Sequence, residues 1–199
     1  MPSDAPTPLY GLVLAGGESR RMGRDKALLD RQGRSQLEYL YSLVDGFAER
    51  TFVSARASQA AEAQRSRFPQ IVDCYEGMGP VAGILSAMEK YPGADWLIVA
   101  CDLPNVDADT LGHLLANRSA LQPFTAYRSS HDGLPEPLCA VYAAGSDAIV
   151  REFVADGVHC PRKIMIRSDT CLLEQPDPRA LDNVNTPDDL ESSILEVVR

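Results

Sequence analysis

Short apolar runs alternate with amphipathic stretches along the chain, and polar turns separate them. The run Tyr10 to Ala15 predicts a short buried strand. Ser35 and Glu38 form an S-x-x-E capping box, and Leu37, Leu40, Val44 and Phe47 recur at helical spacing. This pattern predicts a helix to about Glu49. Thr51 to Ala55 reads as a second strand, and Ala57 to Arg67, rich in Ala and Gln, as a polar helix. Ile71 and Val72 mark a third strand that ends at Asp73. Gly77 to Pro80 forms a turn, and Pro80 suits the first position of a helix over Val81 to Lys90. That helix contains Gly83, which costs ~1 kcal/mol against alanine, so a neighbouring element is expected to approach it closely. Trp96 to Ala100 is an uninterrupted apolar run, as in a central parallel strand covered on both faces. Asp102 stands at its end, followed by Leu103 and Pro104.

Asp107 to Asn117 reads as a helix with Leu111, Leu114 and Leu115 inward. Pro123 to Arg128 and Pro137 to Tyr142 read as strands around a polar loop, Ser129 to Glu136. Ser146 to Asp156 is helical, Cys160 to Arg167 fits helix or strand, and Cys171 to Leu173 is a brief strand. Thr186 as N-cap, Pro187 at N1 and the acids Asp188 and Asp189 start a last helix. Strands and helices alternate through Ile149, which implies right-handed βαβ units and an α/β fold with a mainly parallel sheet. Ligands of such sheets sit at the carboxyl ends of strands. The stretch after Ala15 and Asp102 are therefore expected on one rim. No repeat, linker or low-complexity segment interrupts the chain. One domain over residues 9–199 is expected, with 1–8, which holds three prolines, as a short disordered lead-in.

At 199 residues the chain can bury a full core, and its 45% hydrophobic and 24% charged residues are ordinary for a soluble globular protein. The net charge of −9 argues against a nucleic-acid partner. No run of ~18 apolar residues suggests a membrane span. Cys74, Cys101, Cys139, Cys160 and Cys171 include no C-x-x-C pair, and only His113, His131 and His159 accompany them. The pattern excludes zinc or redox spacing and predicts buried free thiols in a reducing cytoplasm. The histidines read as surface or loop residues.

Against this acidic background, residues 14–26 carry a basic cluster: Leu14-Ala15-Gly16-Gly17, then Arg20, Arg21, Gly23, Asp25 and Lys26. Glycines after a strand let backbone N–H groups turn toward an anion, and the cations supply fixed charge for phosphate. The dinucleotide fingerprint is absent. Gly17 and Gly23 are separated by five residues and Arg24 follows, so the P-loop spacing fails too. A triphosphate site of another kind is expected. Asp102, at a strand end facing this loop, is the metal candidate, because magnesium binds through one or two carboxylates plus substrate phosphates.

The pattern L-A-G-G-x-S-x-R-M-G-x-D-K, with Cys101-Asp102-Leu103-Pro104, Gly79-Pro80-Val81-Ala82-Gly83 and Asp182-Asn183-Val184-Asn185-Thr186-Pro187, resembles the molybdenum cofactor guanylyltransferases. The resemblance spans roughly Tyr10 to Leu190. It implies a single-domain, Rossmann-like, three-layer α/β/α nucleotidyltransferase fold. It also implies that GMP is transferred from GTP to the molybdopterin form of the molybdenum cofactor, with release of pyrophosphate. Leu14, Ala15, Gly16 and Gly17 would hold the nucleotide, with Gly79, Pro80 and Gly83 as the opposite wall of the base. Lys26 would contact phosphate with Arg20 and Arg21 beside it, Asp73 would line the nucleoside pocket, and Asp102 would bind Mg2+. Asn183 and Asn185 would line the reaction centre on the pterin side, near the strand Glu136 to Tyr142. Arg162, Lys163 and Arg167 read equally as a pterin-phosphate site or a solvated basic face. Where the family often has Asn after its second strand, this chain has Ser54, a shorter hydrogen-bonding group.

The implied chemistry is positioning plus charge neutralisation, since a phosphate attacking a phosphate needs no strong base. GTP and molybdopterin are the implied substrates of a cytoplasmic monomer. Other cofactor-synthesis proteins and molybdoenzyme chaperones are the further partners that the resemblance implies. Two other readings stand beside this one: a related nucleotidyltransferase using CTP or another phosphorylated acceptor, and an inactive nucleotide-binding module. Gly16-Gly17 and the segment Gly79 to Gly83 resemble the guanine-using branch, and the retention of Lys26 and Asp102 opposes inactivity.

Overall fold

The computed structural model describes residues 6–17, 25–184, 189 and 195. The expected lead-in lies largely outside these residues, as do Arg20, Arg21, Asn185 and the cap of the last helix at Thr186. In chain order, β1 (Leu9–Leu14) is followed by a 3₁₀ turn at Lys26–Leu28 and a small hairpin of β2 (Asp30–Arg31) and β3 (Arg34–Ser35). Helix α1 (Gln36–Asp45) comes next, and Ser35 Oγ accepts from the Glu38 amide at 3.2 Å, half of the expected capping box. The helix stops short of Glu49, with Gly46 as its C-cap. Then come β4 (Arg50–Ala55), β5 (Gln70–Val72), α2 (Pro80–Lys90), β6 (Asp95–Ala100) and α3 (Ala108–Ala116). The remainder is β7 (Phe124–Arg128), β8 (Pro135–Tyr142), α4 (Asp147–Ala155), α5 (Pro161–Ile166) and β9 (Thr170–Leu173).

Seven strands form the main sheet in the order β5-β4-β1-β6-β8-β7-β9. β1 pairs parallel with β4 and β6, β4 with β5, and β7 with β9. β8 alone runs antiparallel, against β6 and β7, because only six residues, 129–134, join β7 to β8 and a crossover helix cannot fit. The sheet is therefore mainly parallel. Alternate residues of each strand enter opposite cores. Val13, Leu97 and Val99 pack with Leu37, Leu40 and Val44 of α1 and Leu111 and Leu114 of α3. Leu12, Trp96 and Ile98 pack on the other face with Ile84 and Leu85 of α2, Val150 of α4 and Ile164 of α5. This is a three-layer α/β/α domain, and β6 lies in its middle, covered on both faces.

Three local expectations need correction. Ala57 to Arg67 is not a helix; it is a run of turns ending in a 3₁₀ turn at Arg65–Arg67. The segment has no apolar stripe to bury, and helical propensity alone does not hold a short helix in water. What it buries is one guanidinium, that of Arg65, which is 0% exposed. Cys74 is exposed and Cys160 and Cys171 are only half-buried, although Cys101 and Cys139 are buried as expected and all five thiols are free. His113 is neither a loop nor a free surface residue, since it lies on α3 with Nδ1 3.0 Å from the Tyr127 hydroxyl. The ambiguous segment at Cys160 is helical, with Pro161 at N1.

Candidate active site

The chain runs outward from β1 to β4 and β5, then returns across the sheet to β6 on the other side of β1. The carboxyl ends of these four strands meet at one rim, where the reversal of direction opens a crevice. A cavity of about 190 Å³ lies there. Leu14, Ala15, Gly16, Gly17, Lys26, Ser54, Asp73, Gly79, Pro80, Gly83 and Asp102 all border it, so residues far apart in roughly the first half of the chain converge on one cleft.

One wall comes from β1. Ala15 continues the strand by one hydrogen bond, its amide donating to Ser54 O at 3.1 Å, and the backbone then leaves the sheet at Gly16 and Gly17. Asp25 caps the turn that carries Lys26, with Oδ1 accepting from the Ala27 amide at 3.1 Å. Lys26 is thereby placed where its charge favours the ionised form of Asp102.

The opposite wall is built by β4, β5 and α2. Ser54 Oγ donates to Asp73 Oδ1 at 2.7 Å. Burial raises the Asp73 pKa above the ordinary carboxylate value, and the Ser54 hydrogen bond and the Arg56 charge oppose that shift. Gly79, with φ of +57°, turns the chain into α2 in a conformation that L side chains rarely adopt. Gly83 meets the expectation of close approach: a Cβ there would fall inside the contact shell of Ser54 Oγ and 3.1 Å from Leu14 Cδ2. Gly83→Ala is therefore expected to push Ser54 away from Asp73. Overpacking of this kind costs about 1–3 kcal/mol, so thermal denaturation should show a lowered midpoint and nucleotide titration a weakened site. Unchanged values of both would mean that the wall yields freely.

Asp102 ends the site at the tip of β6. Burial holds its carboxyl above the usual carboxylate range, Lys26 lowers it, and Glu136 raises it again. Its Oδ1 is buried and makes no hydrogen bond within the protein. Such an acceptor is costly unless something occupies it. No group of three or more His, Cys, Asp or Glu among the described residues could hold a metal by itself. A lone unsatisfied carboxylate oxygen beside a phosphate-sized cleft suits a hard cation that keeps water and phosphate as its other ligands.

Asn183 is placed elsewhere. It is exposed and lines a second, polar hollow of about 350 Å³ with Pro104, Asn105, His131, Asp182, Val184 and Asp189. The two hollows touch through the backbone, since the Val184 amide donates to Asp102 O at 2.9 Å. Arg162 of the candidate basic face is engaged by acids, with Asp132 at 2.9 Å and Glu136 at 2.8 Å. Leu138 belongs to the strand expected beside the site, whereas Arg56 and Arg65 carry no signal in the sequence. Arg56 and Leu138 border the cleft. Arg65 reaches the loop from behind: Nη2 donates to Ala15 O at 2.6 Å and to Asp25 Oδ2 at 2.7 Å. Nothing in a polar, alanine-rich segment marks one arginine as buried.

Comparison with known proteins places the chain in a family. The family model described as the MobA-like NTP transferase domain matches residues 11–169. A molybdenum cofactor biosynthesis bifunctional protein of Synechocystis is 40% identical over 183 residues, which are 92% of this chain and 53% of that protein. The chain thus spans about half the length of that relative. A probable molybdenum cofactor guanylyltransferase of Mycobacterium ulcerans is 35% identical over 199 residues, 96% of each chain. The crystal structure of molybdopterin-guanine dinucleotide biosynthesis protein A from Archaeoglobus fulgidus superimposes with a TM-score of 0.76 at 25% identity, covering 92% of this chain and 95% of that one.

Proposed function

We propose that this chain, which belongs to the MobA-like NTP transferase family, transfers GMP from GTP to the molybdopterin form of the molybdenum cofactor. Guanine dinucleotide cofactor and pyrophosphate are the products. The observation that carries the reading is the convergence of Gly16, Gly17, Lys26, Ser54, Asp73, Gly79, Gly83 and Asp102 on one cleft at the carboxyl edge of the sheet. The names of full-length relatives such as the Mycobacterium ulcerans protein supply the acceptor and the base.

In this reading a terminal phosphate oxygen of the acceptor attacks the α-phosphorus of GTP. The bond from that phosphorus to the bridging oxygen breaks, and pyrophosphate leaves with the electron pair. The attacking oxygen is already anionic, so no side chain has to remove a proton. The chain's part is to align the reactants and to neutralise charge. Backbone N–H groups of Gly16 and Gly17 would face the phosphates, and Lys26 adds a compact positive charge. Ser54 and Asp73 form the nucleoside wall, and the backbone from Gly79 to Gly83 closes the side against the base. Asp102 would hold Mg2+, which when bound supplies positive charge to the phosphate oxygens. No helix among the described residues is long and apolar enough to cross a membrane. With all five thiols free, the reducing cytoplasm suits this chain.

Base choice tests the reading. The cleft is bounded by backbone on two sides, from Leu14 to Gly17 and from Gly79 to Gly83. Fixed N–H and C=O groups discriminate by donor and acceptor pattern and reject an ill-matched base strongly. Pyrophosphate release, followed with each nucleoside triphosphate with and without the acceptor, is expected to require the acceptor and to favour GTP over CTP and ATP. A preference for CTP overturns the guanine assignment. Equal release without acceptor overturns the transfer reaction.

A further inference from the structure

Arg65 is a fully buried arginine that reaches the loop at the edge of the cleft. It belongs to the connector between β4 and β5, yet its guanidinium lies under the loop that follows β1. Nε and Nη2 both donate to Ala15 O, at 3.2 and 2.6 Å. Nη2 also donates to Asp25 Oδ2 at 2.7 Å, and Nη1 pairs with Glu62 Oε2. Arg65 is 0% exposed and Asp25 about a quarter exposed, so the pair sits out of bulk water. Ala15 and Asp25 bracket the stretch 16–24, which carries the glycines and the arginine cluster of the motif. One guanidinium therefore ties both ends of that stretch together.

The consequence passes on to Lys26. Asp25 uses its two carboxylate oxygens for two jobs: Oδ2 accepts from Arg65, and Oδ1 caps the turn that begins at Lys26. The cap is thus oriented by the guanidinium. Ala15 is fixed in the same way, with its amide on Ser54 O and its carbonyl on Arg65. A planar fork is suited to this, since it serves a carbonyl and a carboxylate at once in fixed geometry. A lysine offers a point charge and cannot hold both with the same direction.

We propose that Arg65 is a positioning residue for nucleotide binding. It sets the span from Ala15 to Asp25, and through the Asp25 cap it sets Lys26, without touching the substrate itself. The proposal rests on the reading of the cleft as a nucleoside triphosphate site. A role in folding alone would make Arg65 one more buried ion pair, costly to break but indifferent to ligand. The partners of the same guanidinium separate the two roles. Asp25 belongs to the loop and Glu62 to the connector.

The test compares Arg65→Lys, Asp25→Asn and Glu62→Gln in the full chain, by calorimetric titration of the nucleotide and by thermal denaturation. The nucleotide is the one that the parent chain binds most tightly among GTP, CTP, ATP and UTP. A preference other than GTP then overturns the guanine reading and leaves this test intact. Arg65→Lys and Asp25→Asn are each expected to weaken binding about tenfold or more, the effect of losing one charge-assisted hydrogen bond. Glu62→Gln is expected to lower the melting temperature while nucleotide affinity stays within about twofold of the parent. Affinity losses that simply follow the melting temperatures across all three variants would overturn the proposal, as would undiminished affinity in Asp25→Asn. Should Arg65→Lys fail to fold, Asp25→Asn against Glu62→Gln decides alone, because the amide keeps the size of the side chain and the capping oxygen.

Discussion

Asp102→Asn is expected to reduce nucleotidyl transfer by about a hundredfold or more, the scale for removing one charge-stabilising group from a preorganised site. The substitution preserves shape and leaves the fold's apolar contacts intact. It removes the negative charge that a hard cation needs, and an amide oxygen is a much poorer ligand. Stability should behave in the opposite way. Burial raises the folded pKa of this carboxyl above its unfolded value. The folded state therefore disfavours the ionised form, and that cost grows as pH rises through the carboxylate range. A neutral amide avoids the cost, so the melting temperature near neutral pH should stay at or above that of the parent. Steady-state pyrophosphate release and a thermal melt on the same preparation check both halves. A lowered melting temperature with parental turnover would assign Asp102 to the fold.

How much of this was legible in the sequence depends on the kind of residue. Asp102 was legible because an apolar run fixes β6 and a carboxylate directly after it must lie at the carboxyl rim. Gly83 was legible because a glycine inside a helix has to be explained by a neighbour, and that neighbour proved to be Ser54. The cover on both faces of β6 followed from its uninterrupted apolar run, whereas the reversal of β8 was not read, although the short polar loop before it leaves no room for a crossover helix. Arg65 was not legible. Its segment resembles a solvated helix in composition, and its burial depends on contacts with Ala15 and Asp25, which are distant in sequence. Local propensity carries no information about such contacts. The same limit applies to Asn183. Its role on the acceptor side was implied by the resemblance, but its placement in a hollow beside the cleft, with His131 and Asp182, depends on where the chain crosses the end of β6. Asn185 lies outside the described residues.

Lys26→Ala is expected to reduce kcat/KM by roughly two to three orders of magnitude, equivalent to about 3–4 kcal/mol of lost transition-state stabilisation. Lys26 opens a 3₁₀ turn whose cap is the Asp25 carboxylate bound to the Ala27 amide, a backbone contact that the substitution leaves in place. The backbone should therefore keep its course. What disappears is the cation that lies at the cleft and favours the ionised form of Asp102. Negative charge shifts onto the departing pyrophosphate as the bond to the α-phosphorus breaks, so a fixed cation is worth more in the transition state than in the bound ground state. The loss should accordingly fall on kcat at least as much as on KM. Lys26→Arg keeps the charge in a larger planar group and should recover only part of the rate. The fold should notice little: Lys26 is half-buried and partly solvated, and pairs of that kind contribute about 1 kcal/mol or less. For a chain of this length such a loss moves the melting temperature by about 2–4 °C. Single-turnover measurement at saturating nucleotide separates chemistry from binding. Turnover within threefold of the parent would remove Lys26 from the mechanism, and a rate loss matched by a collapse of the melting transition would make it a residue of the fold.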